Sequence, residues 1–230
     1  MSTPAGFPDD PAIQQLFTEG NVLIDRLSAT NQPRVFIISG PSGVGKDSVI
    51  EQLRTFYPEA RYVVTATTRP MRANEIDGVH YLFYTKEDFV DGIAAGQFIE
   101  HALVYDNHYG VPRTPIEDGL AQGQDVIIKV DVKGAATLRQ CIAGSVSIFL
   151  APESMNVLLE RLRSRKTEDL DVLLKRFRTA SEELERANEF DYVVFNRERE
   201  LDAALENIRG IVESERARIH KTPIKITNVS

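Results

Sequence analysis

From Arg34 onward, apolar and polar positions along the chain follow two alternating rhythms. Compact runs rich in β-branched and aromatic residues, Val35 to Ile38, Arg61 to Val64, Val126 to Val130, Val146 to Leu150 and Tyr192 to Phe195, read as strands buried on both faces. Between them, 46–56, 114–121, 135–141, 154–163, 170–187 and 201–219 carry apolar residues at helical spacing. This alternation predicts an α/β fold in which helices cover both faces of a parallel sheet.

The rhythm changes over 67–112, where short alternating runs at Tyr81 to Thr85 and Phe98 to Tyr105 surround a helical Lys86 to Ala95. A small inserted module accounts for that change. Ahead of the alternation, Ile13, Leu16, Phe17, Val22, Leu23 and Leu27 approximate a helical stripe from Pro11 to Leu27, with Gly20 and Asn21 as points of interruption. This segment is expected to pack on the body, or to serve docking or oligomerisation. No internal repeat or low-complexity tract occurs.

Composition narrows the function. With 230 residues and 42% hydrophobic content, the chain is expected to form one domain with inserts. A net charge of −7 argues against a general nucleic-acid or membrane-surface binder. No apolar run reaches membrane-helix length and no secretory pattern opens the chain, so a cytoplasmic setting is expected. The single cysteine, Cys141, reads as a small apolar filler in a reducing compartment. The 4 histidines show no paired ligand spacing.

The strongest local chemistry follows the run Val35 to Ile38. Gly40-Pro41-Ser42-Gly43-Val44-Gly45-Lys46 has the spacing of a phosphate-binding loop, in which glycines let main-chain N–H groups converge on phosphate and a lysine adds charge at the helix start. The motif alone is only moderately specific; its position between a buried strand and an amphipathic helix supplies the required context. The usual loop continues with Ser or Thr for magnesium, but here Asp47 follows and the hydroxyl comes at Ser48. Two readings of Asp47 stand: it holds Mg²⁺ through water, or it faces solvent near the positive end of the helix.

Several ordered motifs extend the picture. They are G-P-S-G-V-G-K, T-T-R-P-x-R-x-x-E-x-D-G-x-x-Y, F-I-E, Y-G, D-V-K-G-A, and the acidic A-S-E-E-L-E ahead of Tyr192 to Asn196. With them the chain resembles the guanylate kinase family over nearly all of 34–219. The resemblance implies a P-loop NTPase-type sheet with core segments 34–66, 113–160 and 187–220, a GMP-binding module at 67–112 and a short helical lid at 161–186. The segments 1–33 and 221–230 would be an N-terminal extension and a C-terminal tail.

The implied reaction is phosphoryl transfer from ATP to GMP, or dGMP, with Mg²⁺. Arg69 and Arg72 are suited to planar, multiply donating contacts with one phosphate. By resemblance they hold the acceptor phosphate together with Tyr81 and Tyr109. Glu100 lies between apolar neighbours, where an unpaired carboxylate is costly and calls for a donor partner. By resemblance it reads the N1–H and 2-amino group of guanine, with Thr65 and Asp131 as helpers. A buried structural ion pair is the other account of Glu100.

In the run Arg161 to Glu168, cations cluster; a solvated helix face is the bland account. By resemblance, Arg165 and Arg176 close over the donor phosphates and act with Lys46 in transfer. The chain departs from the family at Asp47, at Val111 after Tyr-Gly, at Lys129 where an acidic residue is common, and at Lys166 in place of glycine. Lys129 shares a strand face with Asp131 and is expected to pair with it or touch a phosphate.

Two further readings are weighed. Gly45 to Ser48 and Tyr109 to Pro112 also resemble ribose 1,5-bisphosphate phosphokinase, which leaves Glu100 and Arg72 without a purpose. A non-catalytic interaction domain is opposed by the presence of Lys46, Arg69, Arg72 and Arg165 together. The expected partners are small nucleotides, with no nucleic acid or membrane, in a monomer or homodimer.

Overall fold

A computed structural model describes residues 10–28, 32–73, 75–104, 106–163 and 170–227. The first element, α1 (Pro11–Ser28), starts where Asp10 accepts the Ala12 N–H at 2.7 Å, with Pro11 in the first helical position. It runs through Gly20 and Asn21 without a break. Leu16, Val22, Leu23, Ile24 and Leu27 are exposed on it, so its apolar stripe is not buried on the body as its sequence pattern implies.

The central sheet is parallel, with order β10-β9-β1-β7-β2: β1 is Val35–Ser39, β2 Arg61–Val63, β7 Val126–Lys129, β9 Val146–Pro152 and β10 Tyr192–Asn196. Side-chain alternation divides β1 between two cores. Phe36 and Ile38 pack with Val49 and Leu53 of α2 (Lys46–Phe56) and with Ile208 and Val212 of α8 (Leu201–Ala217). Val35 and Ile37 face the opposite layer, with Ile116 of α4 (Thr114–Ala121) and Leu138 of α5 (Val132–Cys141). Burial on both faces explains why these strands read as continuous apolar runs.

A second sheet, β4-β3-β6-β5, joins β3 (Ala66–Thr67), β4 (Leu82–Phe83), β5 (Phe98–Val104) and β6 (Asn107–Pro112). Helix α3 (Lys86–Ala94) packs on it, capped where the Thr85 hydroxyl accepts the Asp88 N–H at 3.0 Å. Phe89 and Phe98 stack with ring centroids 4.4 Å apart. A Cβ on Gly110 would stand 2.8 Å from Phe89, which accounts for the glycine of the Tyr-Gly pair.

Strands β3 and β6 have no run long enough to stand out in the sequence; pairing with their neighbours defines them. Helix α5 begins at Val132, ahead of the expected Ala135, because Asp131 caps it. Helices α6 (Met155–Arg163) and α7 (Leu170–Glu185) flank residues outside the described set, and α7 passes into a 3₁₀ turn at Arg186–Glu189. Near the C-terminus, β11 (Lys225–Ile226) pairs antiparallel with β8 (Ile142–Ala143), so the segment expected as a tail contains an ordered strand. Among the described residues no helix is long and apolar enough to cross a membrane.

Candidate active site

The carboxyl ends of β1, β2 and β7 converge where an open α/β sheet places its ligands. Between β1 and α2 the loop turns through Gly40, Gly43 and Gly45, all with positive φ. A Cβ at Gly40 would lie 2.3 Å from the Leu150 carbonyl oxygen, so only glycine fits beside β9. Pro41 and Val44 are buried, and Gly45 is the left-handed residue from which α2 starts.

The loop is tied down from outside. The Asn196 side-chain amide donates to the Val44 carbonyl at 2.8 Å, and Arg161 donates to the same carbonyl at 3.1 Å. The Ser42 N–H donates to Glu183 of α7 at 2.9 Å. Lys46 donates to the carbonyls of Gly40 and Pro41, which folds its ammonium back over the loop. Burial pushes its pKa down, while the negative charges of Glu183, Asp131 and Asp47 oppose that shift. Ser48 is exposed in the first turn of α2.

Asp47 and Lys129 form one ion pair, with Nζ 2.6 Å from Oδ1. The expected pairing of Lys129 with Asp131 is therefore replaced by a bond across to the loop helix. Asp131 instead accepts the Gly134 N–H at 2.7 Å and fixes the start of α5. Thr65, buried after β2, donates to the Lys129 carbonyl at 3.2 Å and joins the two strand ends.

Just past β3 of the second sheet, Arg69 is gripped by Glu75 through two parallel contacts, one of them 2.7 Å. Glu75 also accepts the Arg72 N–H at 2.8 Å, so one carboxylate shapes the whole arginine segment. Hydrogen bonding from Arg69 holds Glu75 at a pKa of about 2. The Arg69 guanidinium lies 4.9 Å from the Tyr81 ring, whose edge meets Tyr109 with centroids 6.2 Å apart. Arg69, Tyr81 and Tyr109 thus form one cluster, with Arg72 exposed at its margin.

Glu100 on β5 is 5% exposed, its backbone pairs with β6, and among the described residues its carboxylate has neither a hydrogen bond nor an ion pair. Its expected alternative, a buried structural salt bridge, is not present there. Desolvation, reinforced by the negative Asp131, raises its pKa to about 7. A Cβ at Gly134 would lie 3.5 Å from its carboxyl carbon, an ordinary contact, so the acid sits directly against the start of α5. Val111, adjacent on β6, is fully buried and adds no hydroxyl.

Arg176 lies on α7, about two turns before Glu183 and on the same face. Arg165 and Lys166 fall outside the described residues. Sequence reasoning missed Glu75, Glu183, Arg161 and Asn196 as organisers. Glu75 stood in the arginine motif as an unexplained letter, and Glu183 in the acidic helix; only their distant hydrogen-bond partners reveal what they do.

The guanylate kinase family model matches residues 32–215. The chain is 45% identical to guanylate kinase 2, chloroplastic/mitochondrial, of Oryza sativa subsp. japonica over 87% of this chain and 70% of that protein. It is 38% identical to the guanylate kinase of Carboxydothermus hydrogenoformans, covering 79% of this chain and 88% of the relative. The crystal structure of guanylate kinase from Anaplasma phagocytophilum superposes with a TM-score of 0.66 at 29% identity, covering 82% and 89% of the two chains. With a phosphate loop, an arginine–tyrosine cluster and a buried acid on one framework, and a family model spanning most of its length, this chain belongs to the guanylate kinase family.

Proposed function

We infer that the chain is an enzyme that transfers the terminal phosphoryl group of ATP to GMP, giving ADP and GDP. The observation that carries the acceptor assignment is Glu100: a buried carboxylate without a protein donor is a paired-acceptor edge for guanine N1–H and the 2-amino group. Ribose 1,5-bisphosphate has no guanine edge, and the family match supports GMP over that alternative.

In this reading main-chain N–H groups at Gly43, Gly45 and Lys46, with the Lys46 ammonium, hold the donor phosphates. Arg69, Arg72, Tyr81 and Tyr109 hold the acceptor phosphate, while Glu100, Thr65 and Asp131 orient the base. An oxygen of the GMP phosphate attacks the γ-phosphorus, the bond from that phosphorus to the β,γ-bridging oxygen breaks, and ADP leaves with the electron pair. Alignment and electrostatics carry such a transfer without a side-chain nucleophile. Arg176, with Arg165, brings positive charge over the donor as water is excluded.

Magnesium fits this site as a companion of the nucleotide. No group of three or more Asp, Glu, His or Cys among the described residues forms a cage of its own. The exposed Asp47 carboxylate, directly after Lys46 and paired through Oδ1 with Lys129, would hold Mg²⁺ through water beside the phosphates. Bound there, Mg²⁺ supplies charge neutralisation to the phosphates. A cytoplasmic location and activity toward dGMP complete the proposal.

A coupled assay offering GMP, dGMP, AMP, UMP and ribose 1,5-bisphosphate in parallel, with and without Mg²⁺, tests it. Turnover confined to the guanine nucleotides is expected. Preference for the sugar bisphosphate would replace this reading, and binding of no nucleotide in calorimetry would support an interaction domain.

A further inference from the structure

Two residues that depart from the family pattern, Asp47 and Lys129, are the two ends of a single bond. Asp47 follows the loop lysine on α2, and Lys129 closes β7, 82 positions later. The Lys129 side chain is only 17% exposed, whereas that of Asp47 is 64% exposed. A lysine drawn inward to hold an exposed aspartate would gain little as a surface pair. Its surroundings suggest another use.

The Lys129 ammonium stands 5.1 Å from the Tyr81 ring centroid, and the Arg69 guanidinium stands 4.9 Å from the same centroid. Two cations from different sheets therefore converge on one tyrosine. Each is held by its own carboxylate, Lys129 by Asp47 and Arg69 by Glu75. Lys46 also feels both Asp47 and Lys129 electrostatically, so the pair bridges the phosphate loop and the arginine–tyrosine cluster. Convergent cations with separate anchors suit a doubly charged oxyanion.

We propose that Lys129 is a phosphate-binding residue of the transfer site. Its ammonium meets the acceptor monophosphate on the side facing the loop, and Asp47 is the positioning residue that aims it. The proposal rests on the GMP-kinase reading only in taking a nucleoside monophosphate as acceptor.

The test uses the full chain, GMP titrated by calorimetry without ATP or metal at low and high salt, initial-rate kinetics, and thermal unfolding. Wild type, Lys129→Met, and the exchanged pair Asp47→Lys with Lys129→Asp are compared. Lys129→Met is expected to weaken GMP binding about tenfold or more, reduce its salt dependence, and leave ATP affinity within about twofold. The exchanged pair restores the ion pair and the melting temperature but not GMP affinity, since a carboxylate then faces the phosphate. Unchanged GMP binding in Lys129→Met, or recovery of both folding and GMP binding by the exchanged pair, would overturn the role of Lys129. Failure of wild type to bind GMP would overturn the acceptor reading and this proposal with it.

Discussion

The main-chain N–H of Ser42, inside the phosphate loop, donates to the carboxylate of Glu183 on α7 at 2.9 Å. One bond thus ties the loop to the helix that carries Arg176. It also sets a negative charge beside Lys46, where Glu183 is the largest charged influence on that lysine.

Replacing Glu183 separates these effects. Glu183→Gln keeps an oxygen acceptor for Ser42 but removes a charge that repels phosphate, so ATP affinity should rise about threefold. Glu183→Ala releases the loop and should cost about 1 kcal/mol of stability. Calorimetry with ATP and urea unfolding measure both; weaker ATP binding in Glu183→Gln would show that the charge itself is needed.

At Glu100 the pH dependence has a definite sign. Its native pKa, about 7, lies above its ordinary carboxylate value, so the folded state holds the proton that the unfolded state has lost between about pH 4.5 and 7. Stability from this group therefore falls as pH rises across that window. Glu100→Gln should be more stable than wild type at pH 8, with the difference vanishing below about pH 4.5. GMP needs the ionised form, so its binding at pH 7 should release about half a proton from wild type that the variant does not release. Calorimetry in buffers of different ionisation enthalpy checks this, and GMP turnover by Glu100→Gln should drop about 100-fold or more.

Glu75 predicts the opposite pH trend. Hydrogen bonding from Arg69 lowers its pKa to about 2, so its stabilising contribution is present above about pH 4.5 and is lost as pH falls toward 2. Glu75→Gln should raise KM for GMP about tenfold by loosening Arg69, with kcat reduced much less. Equal losses in both parameters would assign Glu75 to the transfer step itself.

Gly40 offers a purely steric prediction. Its φ of 144 and the 2.3 Å approach to the Leu150 oxygen leave no room for a methyl group. Gly40→Ala should destabilise the protein by about 2–3 kcal/mol and abolish ATP binding. Wild-type denaturation midpoints in guanidinium would contradict the geometry of this turn.

The strands of the parallel sheet and the helices between them were legible in the apolar rhythm because a strand buried on both faces must be apolar along its length. The loop 40–46 was legible because glycine and lysine at fixed spacing have few other uses between a strand and a helix. Strands β3 and β6 were not, since each is defined by pairing, β3 with the distant β4 and β6 and β6 with the neighbouring β5, rather than by an apolar run of its own. The same limit applies to charge. Lys129 and Asp131 are two positions apart, but β7 ends at Lys129 and Asp131 caps α5; the lysine reaches across to Asp47 because the parallel pairing of β1 with β7 sets its strand end beside the start of α2. Sequence by itself determined which groups could carry charge and which had to be buried. Tertiary structure alone decided which charges meet, because a hydrogen bond or ion pair depends on distances of a few ångströms between segments far apart in the chain.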